Sequence, residues 1–463
     1  METGLTKLSC SKFELKDQRL NNRMYKICIQ LKTSAGLSTP ETINDRGQTK
    51  AYYRFINNHH VEPKYLIEGY AKHSVNQTES SNVVLSIQDT TTLQYSSKRS
   101  APNLGCMESA KDKGFLLHNH LLMSSLGKPL GLLSQQFYER TAESLGKGKK
   151  ELRKKTPFIE KESYRWLEQF NLLQESYKDE TTKTIIQLCD READIHEVLQ
   201  ARKYDHIHYI IRSCYERTCP DKEKTIWAQV ANEPYAYQYE LNVQGNEKRT
   251  ARLAIMEVRY KQVTIKASYR KDKSICDQSL WILETKEVSP PANEDAIHWR
   301  LLTSIPIVSM DLAAKIIQYY VFRWVIERFH YVLKQGFKAE ELQIVNRESL
   351  QVAIILKSWA ALDVMHLAYT SKTEPDITLQ QAGFEAQDYD IAYNYAKRRC
   401  NTKEIKQPKP TILHFSRLIA QIGGHSLQAS KPIGIVSIWR GWNTFSIIKD
   451  VLLSQLIIDV GNQ

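Results

Sequence analysis

Four polar residues recur at helical spacing in a segment that is otherwise largely apolar. At about 100° per residue, Tyr320, Arg323, Glu327 and Lys334 fall within roughly 60° of one another on a predicted helix. A glutamate between a guanidinium and an ammonium group suits a site where the carboxylate binds a hard cation and the positive groups hold phosphate oxygens. The pattern also fits a plain helix with ion pairs along its surface. This segment alone leaves both interpretations open.

The other side of the same predicted helix is apolar over roughly 140°, which is wider than the stripe of about 100° typical of a surface helix. We therefore expect the helix to be largely buried. Its apolar residues are Val321, Phe322, Val325, Ile326, Phe329, Val332 and Leu333.

Two aspartates follow β-branched runs earlier in the chain. Residues 83–89 predict a buried strand that ends at Asp89, and residues 183–189 predict a second strand followed by Asp190. Ligand sites in α/β sheets lie at the carboxyl ends of strands. Each aspartate alone would fit a turn or a helix cap. Together with Glu327 they form a set of three acids that suits two-metal phosphoryl transfer.

These residues resemble a known family. A Tyr, two residues, an Arg, three residues, a Glu, six residues and a Lys form the signature of DDE transposases of bacterial insertion sequences, in particular the branch of the Tn-five transposase. Tyr320, Arg323, Glu327 and Lys334 keep every spacing of that signature. Further matches occur at 51–56, 88–91, 190–194 and 299–304.

The resemblance implies a cut-and-paste DNA transposase that performs Mg-dependent phosphoryl transfer. Asp89, Asp190 and Glu327 would bind two Mg ions, for which Mn can substitute. Water would cut the DNA at the transposon ends, and the freed 3′ hydroxyl groups would attack the other strand to form a hairpin. A second water would open the hairpin before the 3′ ends join target DNA.

The resemblance also implies DNA-binding roles for four residues. Tyr320, Arg323 and Lys334 would hold phosphates beside the cut, and Trp299 would fill the space left by a base flipped out at the transposon end. An isolated tryptophan commonly lies in a core, so that alternative stays open for Trp299.

Two other functions fit parts of the sequence. A catalytically inactive DNA-binding relative would keep the basic surface without cleavage, although the three intact acids argue against it. A structure-selective nuclease with the same core would cut branched DNA without needing a particular end sequence.

Composition agrees with a nucleic-acid partner. The 463 residues carry a formal charge of +12, which favours a nucleic acid, although ribosomal and membrane-surface proteins can be as basic. The resemblance implies that this partner is double-stranded DNA, at the transposon ends and in the target. Eight cysteines without a Cys-x-x-Cys pair indicate reduced thiols in a cytoplasmic protein. The first 30 residues lack an apolar signal core, and no run approaches the roughly 20 residues of a membrane span. No membrane partner is expected.

The predicted architecture is α/β, with a ribonuclease-H-like catalytic core and helical regions at both ends. Residues 1–75 would bind DNA ends, 76–370 would form the catalytic domain with a β-rich insertion at 216–298, and 371–463 would form a helical dimerisation region. In the alternative interpretations, the first region is a small surface subdomain and the last packs onto the core. The resemblance implies a homodimer on DNA.

The predicted core fold would place its first and fourth strands side by side. That adjacency would bring Asp89 and Asp190 together. A strongly basic stretch at 146–155 separates them in the sequence. It fits a solvated surface or a loop that holds the phosphate backbone.

Overall fold

The computed structural model describes residues 7–32, 45–98, 101–141, 145, 156–220, 225–243, 245, 249–267, 275–428 and 433–461. The basic stretch 146–155 lies outside these residues. The helices are α1 (Lys7–Ser11), α2 (Gln18–Lys32), α3 (Arg46–Ile56), α4 (Pro63–Asn76), α5 (Tyr164–Tyr177), α6 (His196–Leu199), α7 (Ile226–Ala231), α8 (Met310–Val321), α9 (Trp324–Tyr331), α10 (Arg347–Thr373), α11 (Ala386–Arg399), α12 (Ile412–Ile422) and α13 (Ile435–Gly461). The strands are β1 (Val83–Gln94), β2 (Gly114–Ser124), β3 (Pro129–Tyr138), β4 (Thr184–Cys189), β5 (Ile207–Arg212), β6 (Tyr237–Val243), β7 (Arg252–Ile265), β8 (Gln278–Glu287) and β9 (His298–Thr303).

The chain divides into two compact units that are each built from separate segments. Unit A comprises Met1–Ser80, Thr90–Gly148 and Val325–Gln463. Unit B comprises Ser81–Asp89 and Lys149–Trp324. Strand β1 therefore begins in unit B and ends in unit A, while α8 belongs to unit B and α9 to unit A.

Unit B is organised around a mixed sheet. Its strand order is β1-β4-β5-β9-β8-β7-β6. The pairs β1–β4 and β4–β5 are parallel, and the remaining neighbours are antiparallel. Residues 84–88 of β1 are all buried, as expected for a parallel strand that is covered on both faces.

The predicted adjacency of the first and fourth strands is confirmed, and so are the strands predicted before Asp89 and Asp190. The predicted end of the first strand at Asp89 is wrong, because β1 continues to Gln94. In the predicted β-rich insertion, Arg252–Ile265 form the long strand β7.

Unit A is built around α10. This helix has 27 residues and is long and apolar enough to cross a membrane, so the expectation that no run approaches that length is wrong. Its most apolar window is 89% buried within the protein, which is the property of a core helix. Tyr70 of α4 stacks on Trp359 of α10 at 4.6 Å between ring centroids, and Phe13 contacts the same ring edge-on at 5.8 Å.

The single helix predicted for the signature segment is wrong. Helix α8 ends at Val321, Phe322 and Arg323 form a turn, and α9 begins at Trp324. The segment Val332–Gly336 then forms a π-helical turn, a form that occurs often at functional sites. Phe322 keeps helical backbone angles (φ −65°, ψ −14°), so the break needs only a small backbone change that hydrophobic periodicity does not reveal.

A buried lysine forms a hydrogen bond with the residue that follows this π-helical turn. The Nζ of Lys357 on α10 donates to the carbonyl oxygen of Phe337 at 2.7 Å, and the residue is 3% exposed. Burial lowers the pKa of Lys357 to about 8, while Glu341 raises it and Lys338 lowers it further.

The depressed pKa of Lys357 makes stability depend on pH. Below about pH 8 the lysine is charged in both folded and unfolded chains, and burial of that charge costs free energy. Between about 8 and 10.5 only the unfolded chain holds the proton, so the free energy of unfolding should rise with pH. Lys357→Met should remove that rise in chemical denaturation measured across this range. The exposed Lys286→Met is the control, and an equal rise in both variants would contradict the assignment.

Candidate active site

The two predicted aspartates lie side by side at one edge of the unit B sheet. Strands β1 and β4 pair in parallel from Val83 with Thr184 to Ile87 with Leu188. Two residues further along each strand are Asp89 and Asp190, so the same register places them opposite one another. Adjacent strands are about 4.8 Å apart, so the two aspartates are neighbours across the strand pair.

The buried thiol of Cys189 is affected by both aspartates and by Arg323. Burial raises the pKa of the Cys189 thiol well above its ordinary value, and the negative charges of Asp190 and Asp89 add to this rise. Arg323 acts in the opposite direction on the same thiol. All three charged groups are therefore within electrostatic reach of this one thiol in unit B.

Three further predicted residues of the site also meet in unit B. The guanidinium of Arg323 lies 6.0 Å from the ring centroid of Tyr320 and 5.8 Å from that of Trp324. Tyr320 contacts Trp299 edge-to-face at 6.1 Å. Burial raises the pKa of Tyr320, Arg323 and Arg212 lower it, and Asp190 raises it, so Tyr320 lies within electrostatic reach of Asp190.

Trp299 has a structural role as well. It is half-buried and packs against the hydrophobic cluster formed by the β-rich insertion. The buried members of that cluster are Val243, Ala254, Met256 and Ile297. The structure thus supports the core interpretation of Trp299 without testing its proposed contact with DNA.

Glu327 and Lys334 belong to unit A. Glu327 lies in the first turn of α9, where the helix dipole favours a negative charge. The ammonium group of Lys334 lies 3.7 Å from a carboxylate oxygen of Glu340, and Glu340 accepts from the backbone N–H of Gln94 at 2.9 Å. The predicted apolar face of the segment is buried at Val325, Ile326, Phe329, Val332 and Leu333. The prediction is wrong at Val321, which is exposed, and Phe322 is only half-buried, because the turn there interrupts the helix.

A buried polar chain fixes the helix that carries Glu327. His330 shares a 3.0 Å hydrogen bond with the side chain of Asn119, whose Oδ1 accepts from Gln135 at 3.0 Å. Gln135 also donates to the hydroxyl of Ser358 at 3.0 Å. Burial lowers the pKa of His330 to about 3, so this ring is neutral throughout the physiological range.

The residues of unit B fit a magnesium site. Mg²⁺ is usually bound by one or two carboxylates together with waters and substrate phosphates, and Asp89 and Asp190 supply two carboxylates at one edge. Within neither unit do the described residues bring three His, Cys, Asp or Glu side chains together as a metal-binding group. One oxygen of Asp190 also accepts from the backbone N–H of Glu192 at 2.9 Å, so the residue caps a short helical turn too.

Sequence reasoning missed the role of Asp194. Its carboxylate is fully buried, forms an ion pair with Arg217, and accepts from the backbone N–H groups of Cys214 at 2.8 Å and Tyr215 at 3.2 Å. Asp194 therefore fixes the loop that follows β5. The sequence shows an acid four residues after Asp190. Its partners lie 19 to 23 residues further along the chain, so no local pattern indicated its role.

Comparison with known proteins identifies the N-terminal region. Residues 4–61 match a family model described as transposase DNA-binding. This match supports DNA as the partner of this chain, and the bounds 1–75 of the DNA-end-binding region stay a prediction. Within the matched residues, the buried face of α2 contains Met24, Ile27 and Leu31.

One solved structure is also similar. It is the piggyBac transposase synaptic complex with hairpin DNA, at 9% sequence identity and a TM-score of 0.36. The similarity covers 83% of this chain and 74% of that one.

The buried pair of Asp194 and Arg217 predicts a large effect on stability. Asp194→Asn leaves a buried guanidinium without its counterion and should lower the free energy of unfolding by about 3 kcal/mol. The exposed pair of Asp205 and Arg202 provides the control, because Asp205→Asn should cost less than about 1 kcal/mol. Chemical denaturation of both variants gives the comparison, and equal losses would show that Asp194 does not hold the loop.

Proposed function

We propose that this chain is a cut-and-paste DNA transposase of the bacterial insertion-sequence type, similar to the Tn-five branch. The alignment of Asp89, within β1, with Asp190, directly after the parallel strand β4, carries the proposal. The transposase DNA-binding match at 4–61 supports the substrate class. The signature residues Glu327 and Lys334 support the reaction type through their spacing.

Asp89, Asp190 and Glu327 are the proposed ligands of two Mg ions. The bound ions would activate the attacking oxygen and stabilise the leaving oxygen during phosphoryl transfer. The inclusion of Glu327 rests on the sequence signature. Mn can substitute because it also accepts oxygen ligands.

The basic residues would hold the DNA strand for attack. Arg323 is 8% exposed and lies between Tyr320 and Trp324, so its position is set before DNA arrives. A preorganised guanidinium binds phosphate oxygens with fixed geometry. Lys334 would supply a second phosphate contact, for which Glu340 is its present partner.

The N-terminal region would hold the transposon end. Its helices expose basic side chains while their apolar sides are buried, which suits contact with a phosphate backbone. The exposed basic residues include Lys12, Lys26, Arg46, Lys50 and Arg54.

The proposal has two further parts. Residues 371–463 would form the dimer contact. The catalytic core would have the ribonuclease-H-like fold.

Two alternatives have distinct outcomes. An inactive DNA-binding relative would bind end DNA without cleaving any DNA in Mg. A structure-selective nuclease would cut branched DNA regardless of the terminal sequence.

A cytoplasmic location follows from the expected thiol state and is proposed on that basis.

The acids should be essential for cutting and dispensable for binding. Asp89→Asn, Asp190→Asn and Glu327→Gln should each abolish strand cleavage in Mg, because an amide is a poor ligand for a hard cation. Binding to end DNA should remain, since the basic surface supplies the affinity. The exposed Asp179→Asn should cut like the unmodified protein. Robust cutting by any of the three site variants, measured on labelled end DNA, would refute the assignment.

Trp299 should affect a later step than the acids. Trp299→Leu keeps an apolar contact with the insertion but removes the ring, so the first nick should proceed while hairpin formation slows about 10-fold, consistent with about 1–3 kcal/mol per stacked base. An abasic site at the flipped position should partly restore the rate, because no base then needs unstacking. Loss of nicking equal to that of Asp89→Asn, or unfolding of the variant, would assign Trp299 to the core alone.

A further inference from the structure

Strand β2 carries three consecutive polar residues that are all buried. His118, Asn119 and His120 are each no more than 1% exposed, and they interrupt a strand that is apolar on both sides of them. Burial of a polar side chain costs free energy unless the side chain is hydrogen-bonded. The hydrogen bonds of these residues therefore show which neighbouring elements the strand holds in place.

His118 holds the residue that follows Asp89. Its Nδ1 shares a 2.8 Å hydrogen bond with the hydroxyl group of Thr90. Thr90 lies within β1 and is joined to Asp89 by a single peptide bond. Because side chains alternate along a strand, the Thr90 hydroxyl and the Asp89 carboxylate point to opposite faces. The contact with His118 therefore acts on the backbone beside Asp89.

Asn119 points to the other face of β2 and holds the helix that carries Glu327. Its Oδ1 accepts from Gln135 of β3, so its Nδ2 is the atom that lies 3.0 Å from Nε2 of His330. That nitrogen must accept the hydrogen bond, which only a neutral imidazole can do. His330 follows Glu327 by three residues, nearly one turn of α9.

We propose that His118 and Asn119 are positioning residues for the metal ligands, His118 for Asp89 and Asn119 for Glu327. The inference rests on the proposed function, because it takes these two acids as ligands. Thr90, His118, Asn119 and His330 all belong to unit A. Mg²⁺ demands near-ideal octahedral geometry, so a small displacement of a ligand should weaken metal binding.

A purely structural role would give a different result. Each of these buried hydrogen bonds also contributes to the stability of the fold, so a loss of stability alone would not distinguish the two roles. The affinity for the metal does distinguish them, because a residue that only stabilises the fold changes the fraction of folded protein and not the affinity of the folded protein.

The first test compares Thr90→Val with Thr370→Val in the full chain. Thr370→Val removes a buried bond of the same kind, because the hydroxyl of Thr370 shares a 2.9 Å hydrogen bond with Nε2 of His366 on α10. Mn²⁺ is the probe, since the free ion gives an EPR signal that is lost on binding. Thr90→Val should bind Mn²⁺ about 10-fold more weakly, the lower end of the range of about 10- to 100-fold typical for partners of metal ligands. Thr370→Val should bind it like the unmodified protein.

Two further variants test whether the hydroxyl of Thr90 acts through His118. Thr90→Ser keeps the hydroxyl group and should restore Mn²⁺ affinity. His118→Gln should weaken Mn²⁺ binding, and its combination with Thr90→Val should be no weaker than either change alone, because both changes remove one hydrogen bond. The Mg concentration that gives half-maximal cleavage of end DNA should rise in parallel, while the affinity for that DNA stays unchanged.

A pair of substitutions at His330 tests the contact with Asn119. His330→Gln keeps an acceptor for the Asn119 amide, whereas His330→Leu removes it. His330→Leu should therefore bind Mn²⁺ about 10-fold more weakly than His330→Gln.

Three results would overturn the inference in whole or in part. Equal Mn²⁺ affinity of Thr90→Val and Thr370→Val would remove the role of His118. Equal affinity of His330→Leu and His330→Gln would remove that of Asn119. Absence of Mn²⁺ binding by the unmodified protein would remove both roles together with the metal assignment.

Cleavage of end DNA in Mg by the unmodified protein separates this inference from the proposed function. A chain that cuts transposon ends but shows no change of Mn²⁺ affinity in Thr90→Val or His330→Leu keeps its proposed function and loses the positioning roles. A chain that shows both changes of affinity without cutting keeps the positioning roles and loses the proposed reaction.

Discussion

The parallel pairing of β1 with β4 is the constraint on which the candidate site depends. Because side chains alternate along a strand, a register shift of one residue would turn one aspartate to the opposite face. The observed register instead places Asp89 and Asp190 opposite one another. The proposed metal site depends on this register.

The loop after β5 extends this edge of the sheet. The buried carboxylate of Asp194 accepts hydrogen bonds from backbone N–H groups of the loop and forms an ion pair with Arg217. Tyr215 of this loop is 55% exposed. The buried Asp194 therefore positions the loop that follows β5.

Local patterns predicted the strands and the pairing of the two aspartates. Runs of β-branched residues have a strong strand preference, and the order of elements determined which strands became neighbours. The break at Phe322 and Arg323 was missed because its backbone angles stay close to helical ones. Sequence patterns did not predict the cavity in unit B that is lined by Tyr215, Trp227 and Arg300. These residues are distant in sequence, and no periodicity relates residues that only the sheet brings together.

The way the N-terminal helices pack onto α10 constrains how this protein could evolve. Phe13 contacts Trp359, the indole N–H of Trp442 donates to the carbonyl oxygen of Lys32 at 2.8 Å, and Lys32 lies 3.7 Å from Asp363. The region that matches transposase DNA-binding domains is therefore not an exchangeable module, because replacing it whole would leave these buried partners unmatched. Under the proposed function, new end sequences would be acquired by changes on the exposed faces of its helices, while the inner faces stay packed against the rest of unit A.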